Sequence, residues 1–201
     1  AMLAGKIGFL HIHNGNIPGA FAMYEEIVSR GFPVKHIRPT HCGRIRHVFD
    51  SAVQFALKGG WIDITTGASC CFDHPAQAVV EAIAAGVDPT HITLSTDGHG
   101  SVPRFNDKGE MVGLGVGGVD GNLKETIRLI RDHNMPIEQA LTFTTAIDAG
   151  ALGIKGDGVI ETGACANACL FTEDFELKGV FARGREMMRD GEILVKGTFE
   201  Y

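Results

Sequence analysis

"FLHIHNGN", residues 9–16, sets His11 and His13 at alternate positions of an apolar run. A strand turns every second side chain to the same face, so both imidazoles point the same way, about 7 Å apart along the strand. Asn14-Gly15 is a loop signal, which puts His13 at the strand's carboxyl end and His11 deeper. The pair is either a two-histidine metal clamp, or one ligand, His13 at the strand's end, beside a packed, hydrogen-bonded His11.

Outward from that strand, the chain repeats one unit. "AFAMYEEIVSRG" has helical spacing and ends on Gly31, a plausible C-terminal cap. "VKHIRPTH" reads as the second strand and "RIRHVFDSAVQFALKGG" as its helix. "WIDITTG" and "HPAQAVVEAIAAG" make the third pair. "HITLSTDG" is the fourth strand, followed after a glycine-rich loop by "NLKETIRLIRDHN" and "IEQALTFTTAIDAGALG". Strands alternating with helices of this length imply parallel β-α units, in a barrel or a doubly wound sheet. No GxGxxG or P-loop follows a strand, which weakens a nucleotide-binding reading.

After about Gly156 the pattern changes to short strands, frequent glycines and a turn signal at "RDGE". The expected organisation is an α/β unit over residues 1–155 and an all-β segment over 156–201.

Composition narrows the function. With 201 residues, 44% of them hydrophobic, one sizeable core can form. The net charge of −6 gives no basic field for nucleic acid. Apolar runs are short, so no membrane span is expected. Five cysteines do not read as a disulfide framework. Cys70-Cys71 and Cys165/Cys169 read as buried thiols, and a reduced, cytoplasmic setting is the expectation. Ala1-Met2 reads as a tag residue before a start methionine.

Three of the four strands end in chemistry-bearing residues: His13-Asn14-Gly15, Pro39-Thr40-His41 and Ser95-Thr96-Asp97-Gly98. Sites in parallel β/α folds lie at the carboxyl ends of strands. His13, His41 and Asp97 can therefore converge, and two imidazoles with a carboxylate suit zinc or a similar divalent ion. His36, His47, His74, His91 and His133 read as structural or solvated. His99 lies near the site, in a flexible glycine context.

The ordered set "LHIHNGN", "PTHCGR", "GGWIDITTG" and "TLSTDGHGSVPRFNDKGE", with the ending "ARGREMMRDGEILVKGTFEY", resembles the latter half of the isoaspartyl dipeptidases, within the amidohydrolase superfamily. The resemblance implies strands five to eight of an eight-stranded β/α (TIM-type) barrel, followed by part of a small β-sandwich. It implies a metal-dependent hydrolase in which metal-activated hydroxide cleaves β-aspartyl dipeptides. It also implies His13, His41 and Asp97 as metal ligands, Asp97 as the catalytic proton carrier, and Arg44 and Ser101 as holders of substrate carboxylates. The family binds two zinc ions; the ligands matched here would serve at most one. Other amidohydrolases, dihydroorotase-like or acyl-amino-acid deacylases, are the alternatives within the class. One departure is "ACANACL" at residues 164–170, where the superfamily carries an acidic turn.

The family's remaining ligands have no counterpart in the chain, which reads as an N-terminally truncated member, inactive or weakly active alone. Half a barrel would leave open strand edges and an exposed apolar inner face. The expected partner is a second copy, as a homo-oligomer, or a missing N-terminal half. A non-catalytic, self-associating fragment with incidental metal binding is the rival reading.

Overall fold

The computed structural model describes residues 2–198. Ala1, read above as a tag residue, and residues 199–201 at the end of the all-β segment lie outside them. Four short strands, β1 (Leu10–His13), β2 (Ile37–Thr40), β3 (Ile62–Thr65) and β4 (Ile92–Ser95), alternate with helices α1 (Ala22–Ser29), α2 (Arg46–Leu57) and α3 (Pro75–Ala84). β1 pairs in parallel with β2, and β3 with β4. β2 lies beside β3, joined where the Cys42 N–H donates to the Asp63 carbonyl at 3.1 Å. The strands thus follow one another in chain order, as β-α units require.

The alternation along each strand separates two faces. Ile37, Ile62, Ile64, Ile92 and Leu94 are buried in the core with the helices. Each such side chain contributes about 1.5–3 kcal/mol through removal from water. α2 answers with Val48, Phe49, Ala52, Val53 and Ala56, a stripe at helical spacing. α1 closes where predicted, Gly31 taking φ 94°, a conformation open to glycine at little cost.

The opposite face corrects the expected apolar inner surface. It carries His11, His13, Arg38, Thr40, Asp63, Thr65, Thr93 and Ser95, of which Thr40, Thr93 and Ser95 donate to Asp63 and Thr65 lies beside Thr40. A face this polar, organised around hydroxyls and a buried carboxylate, is not a hydrophobic seam.

The segment after Gly98, expected as a glycine-rich loop, forms a hairpin of β5 (Ser101–Phe105) and β6 (Met111–Val116). The Asn106 side chain ties its turn, accepting from the Lys108 and Glu110 N–H groups at 3.0 Å. Phe105, Met111, Leu114 and Val116 are exposed on it. α4 (Gly121–Arg131), α5 (Ile137–Thr142) and α6 (Ala146–Leu152) follow, with α6 against β4.

Residues 168–193 form an antiparallel sheet of β7 (Ala168–Phe171), β8 (Leu177–Ala182), β9 (Arg185–Arg189) and β10 (Glu192–Ile193), in spatial order β7-β8-β9-β10. Its two tight turns, Arg183-Gly184 and Asp190-Gly191, have positive φ at both positions, which matches the right-handed twist of hairpin strands. The second is the turn expected in "RDGE".

All five cysteines are free. Cys42 is buried, Cys70 and Cys71 are partly covered, and Cys165 and Cys169 are exposed, which corrects the expectation for the last pair. Among the described residues, no helix is long and apolar enough to cross a membrane.

Candidate metal centre

The carboxyl ends of β1 and β2 bring His13 and His41 together, His13 Nδ1 lying 2.9 Å from His41 Nε2. Asn14 locks this junction: its side-chain N–H donates to the Thr40 carbonyl at 3.0 Å and its oxygen accepts from Tyr24 of α1 at 2.6 Å. His11 faces the same way, its ring edge-on to His13 at 5.5 Å, but it is exposed and not packed away as expected.

His41 sits in the left-handed region at φ 62°, and Asp97, beyond β4, at φ 52°. Such backbones are uncommon for residues with side chains and concentrate at functional sites, where the surroundings hold them. For Asp97 the holding is visible. A Cβ on Gly100 would lie 2.7 Å from the Asp97 carbonyl oxygen, and one on Gly117 would lie 2.8 Å from it. Gly117 donates to the Gly100 carbonyl and accepts from the His99 N–H, at 2.9 and 3.0 Å, so the hairpin base grips the Asp97 turn.

Charge follows the same geometry. Burial pushes the His41 imidazole down to about 4, and Arg44 adds to this while Asp97 opposes it. His41 is therefore neutral near pH 7, the form that offers a lone pair. Arg44, three residues on, donates its backbone N–H to the His41 carbonyl at 3.2 Å. Ser101 opens β5, opposite Val116, and is exposed.

The donor chemistry fits a divalent ion in part. Two imidazole nitrogens converge, the pairing that zinc and its neighbours accept. Asp97 lies near enough to bias the charge of His41. Among the described residues, however, no group of three or more His, Cys, Asp or Glu side chains is placed to share one ion. The three predicted ligands are thus brought to one end of the sheet, but only two meet.

Beneath the pair lies a hydroxyl network that the sequence reading did not include. Asp63, buried, accepts from Thr40 and Ser95 at 2.6 Å and from Thr93 at 2.9 Å. Burial raises its carboxyl pKa, and these hydrogen bonds pull the other way. Its signal was the polar alternation Asp63/Thr65 inside "WIDITTG". Asp148 of α6, lining the same cavity as Asp63, is pushed up to about 7, by burial and then by Asp63. Three of the other histidines have structural places: His36 bonds the Gly8 carbonyl, His74 caps α3, and His91 packs on Trp61.

Comparison with known proteins agrees with this architecture. The amidohydrolase family model matches residues 23–187. The crystal structure of the β-aspartyl dipeptidase from Fervidobacterium islandicum AW-1, in complex with β-Asp-Leu dipeptide, is 29% identical with a TM-score of 0.86, over 98% of this chain and 52% of that one. A second structure of the β-aspartyl dipeptidase from that organism is 25% identical, TM-score 0.81, over 98% and 50%. At the level of fold alone, the atrazine chlorohydrolase of Arthrobacter aurescens TC1, complexed with zinc, is 13% identical, TM-score 0.57, over 98% and 47%. The chain spans about half the length of these structures. It has a mixed α/β, amidohydrolase-like fold, and the chain belongs to the amidohydrolase family.

Proposed function

We propose that this chain carries part of the active site of a metal-dependent hydrolase of the isoaspartyl dipeptidase type, acting on β-aspartyl dipeptides. The convergence of His13 and His41 at the strand ends carries the reading. Similarity to β-aspartyl dipeptidases, one of them holding β-Asp-Leu, supports the substrate class. The four parallel strands correspond in this reading to strands five to eight of a barrel, residues 1–155, and 156–201 to part of a β-sandwich.

His13, His41 and Asp97 would hold one divalent ion, zinc by analogy with the zinc-bound relative. Such an ion supplies a water acidified toward neutral pH and a polarised amide carbonyl. Asp97, beside the site, would hold the proton taken from that water and return it to the leaving amine. Arg44 offers a planar, two-pronged contact to a substrate carboxylate, and Ser101 a neutral donor.

The chain alone is expected to bind one ion weakly and to turn over little dipeptide. The absence of a three-ligand group among the described residues favours a second reading, a self-associating fragment without catalysis. Measured hydrolysis of β-Asp-Leu separates the two. Turnover in the ordinary enzymatic range, about 1–1,000 per second, would exclude the fragment reading. Zinc binding with no turnover, even when a complementary half-chain is supplied, would support it.

A second copy, or a complementary half-chain, is the proposed partner. Arg38 motivates this. Its guanidinium lies over the rings of Phe9 and Trp61, at 4.7 and 4.3 Å, with Nε and Nη1 buried and unpartnered among the described residues.

A further inference from the structure

We infer that Thr65, backed by Thr40 and Asp63, fixes the tautomer of His41 so that Nε2 is the nitrogen offered to a divalent ion. This rests on the reading that His13 and His41 hold such an ion.

The order of protons along the network follows from its acceptors. Asp63 receives three hydroxyl groups, from Thr40, Ser95 and Thr93, which together use most of a carboxylate's lone pairs. With the Thr40 proton committed to Asp63 Oδ2 at 2.6 Å, Thr40 Oγ1 is left as an acceptor. The Thr65 hydroxyl lies 3.4 Å from it and can point its proton there. Thr65 Oγ1 then has its lone pairs turned toward His41 Nδ1, 2.8 Å away. In that order Nδ1 carries the proton of the contact, and a neutral imidazole has only one. Nε2 is left with its lone pair, on the side where His13 Nδ1 stands at 2.9 Å. Asp63, Thr40, Thr65 and His41 are all buried, so water has little access to reverse the order. Thr65 is a positioning residue: it touches neither substrate nor metal and acts through His41. Partners of this kind hold a ligating histidine's ring and proton, and their loss lowers metal affinity about 10–100-fold.

Two readouts test the inference on the full chain. In metal-free protein near pH 7.5, long-range proton–nitrogen NMR correlation identifies which nitrogen of His41 carries hydrogen. The expected result is Nδ1–H in the wild type and in Thr65→Ser, and a mixed or Nε2–H form in Thr65→Val. Zinc titration is then expected to give an affinity about 10–100-fold lower for Thr65→Val, with Thr65→Ser close to wild type and all three melting cooperatively. An Nε2–H wild type, or equal zinc affinity in Thr65→Val and wild type, overturns the inference. Should the wild type take up no zinc, the metal reading fails, while the NMR spectrum still decides the tautomer. Should Thr65→Val not fold, the wild-type spectrum decides it.

Discussion

His13 Nδ1 and His41 Nε2 face each other across 2.9 Å, from the ends of two neighbouring parallel strands. Without a cation, one ring must donate to the other. With a cation between them, both nitrogens turn a lone pair toward it. His11, two residues before His13, stands outside this pair.

That difference separates the two histidines of the first strand by experiment. Replacing His13 or His41 with alanine should remove measurable zinc binding, and His11→Ala should leave the affinity near wild type. Competition with a chromophoric chelator gives the three numbers. A His11→Ala loss as large as that of His13→Ala would show a two-histidine clamp on one strand.

Gly117→Ala probes the grip on Asp97. The new methyl would sit 2.8 Å from the Asp97 carbonyl oxygen, so the Asp97 turn or the hairpin base must move. Overpacking of this kind costs about 1–3 kcal/mol. Zinc affinity should fall with stability. Gly113→Ala, within β6 and with open space around it, should change neither. Denaturant melts and zinc titrations of both variants make the comparison.

Asp148 gives the stability a pH signature. Its folded pKa of about 7 stands above the ordinary carboxylate value, so between those two values the unfolded chain binds fewer protons than the folded one. This contribution is present at low pH, is lost as pH rises from about 4 toward 7, and is constant above that. Asp148→Asn should flatten this limb, and chemical denaturation at pH 5 and pH 8 compares them. An unchanged difference between the two pH values in the variant would mean that Asp148 is ionised in the folded chain throughout.

Arg38 reports on whether anything covers the polar sheet face. A buried guanidinium with unpaired nitrogens costs stability, about 1–3 kcal/mol for the unmet hydrogen bonding. In an uncovered chain, Arg38→Met should therefore raise the melting temperature, by about 2–4 °C per kcal/mol gained. In an assembly whose partner supplies a carboxylate, the same change should lower it and shift the oligomer toward monomer. Light scattering at micromolar concentration, run beside the melt, reads both. A monodisperse monomer with a stabilised variant would set the self-association proposal aside.

The parallel core was legible because each strand alternates isoleucine or leucine with a polar residue and is followed by a helix-spaced run. The exposed hairpin was not: Gly113 and Gly115 dilute the strand pattern of β6, and its apolar side chains stay in water instead of marking a core. The inner face was misjudged for a different reason. Polar residues inside short apolar runs looked incidental one strand at a time, and only register brings Thr40, Asp63, Thr93 and Ser95 onto one carboxylate-centred network. His13, His41 and Asp97 stood out as residue types at strand ends. The left-handed backbones of His41 and Asp97, and the glycines that hold Asp97, are properties of chain packing, invisible to spacing.

The most direct measurement is a calorimetric zinc titration of the metal-free wild type near pH 7.5, paired with the His13→Ala/His41→Ala double variant. Saturable binding near one equivalent in the wild type, absent in the double variant, is the expected result. No saturable binding, or binding of equal strength in both proteins, would contradict a metal centre at the ends of β1 and β2.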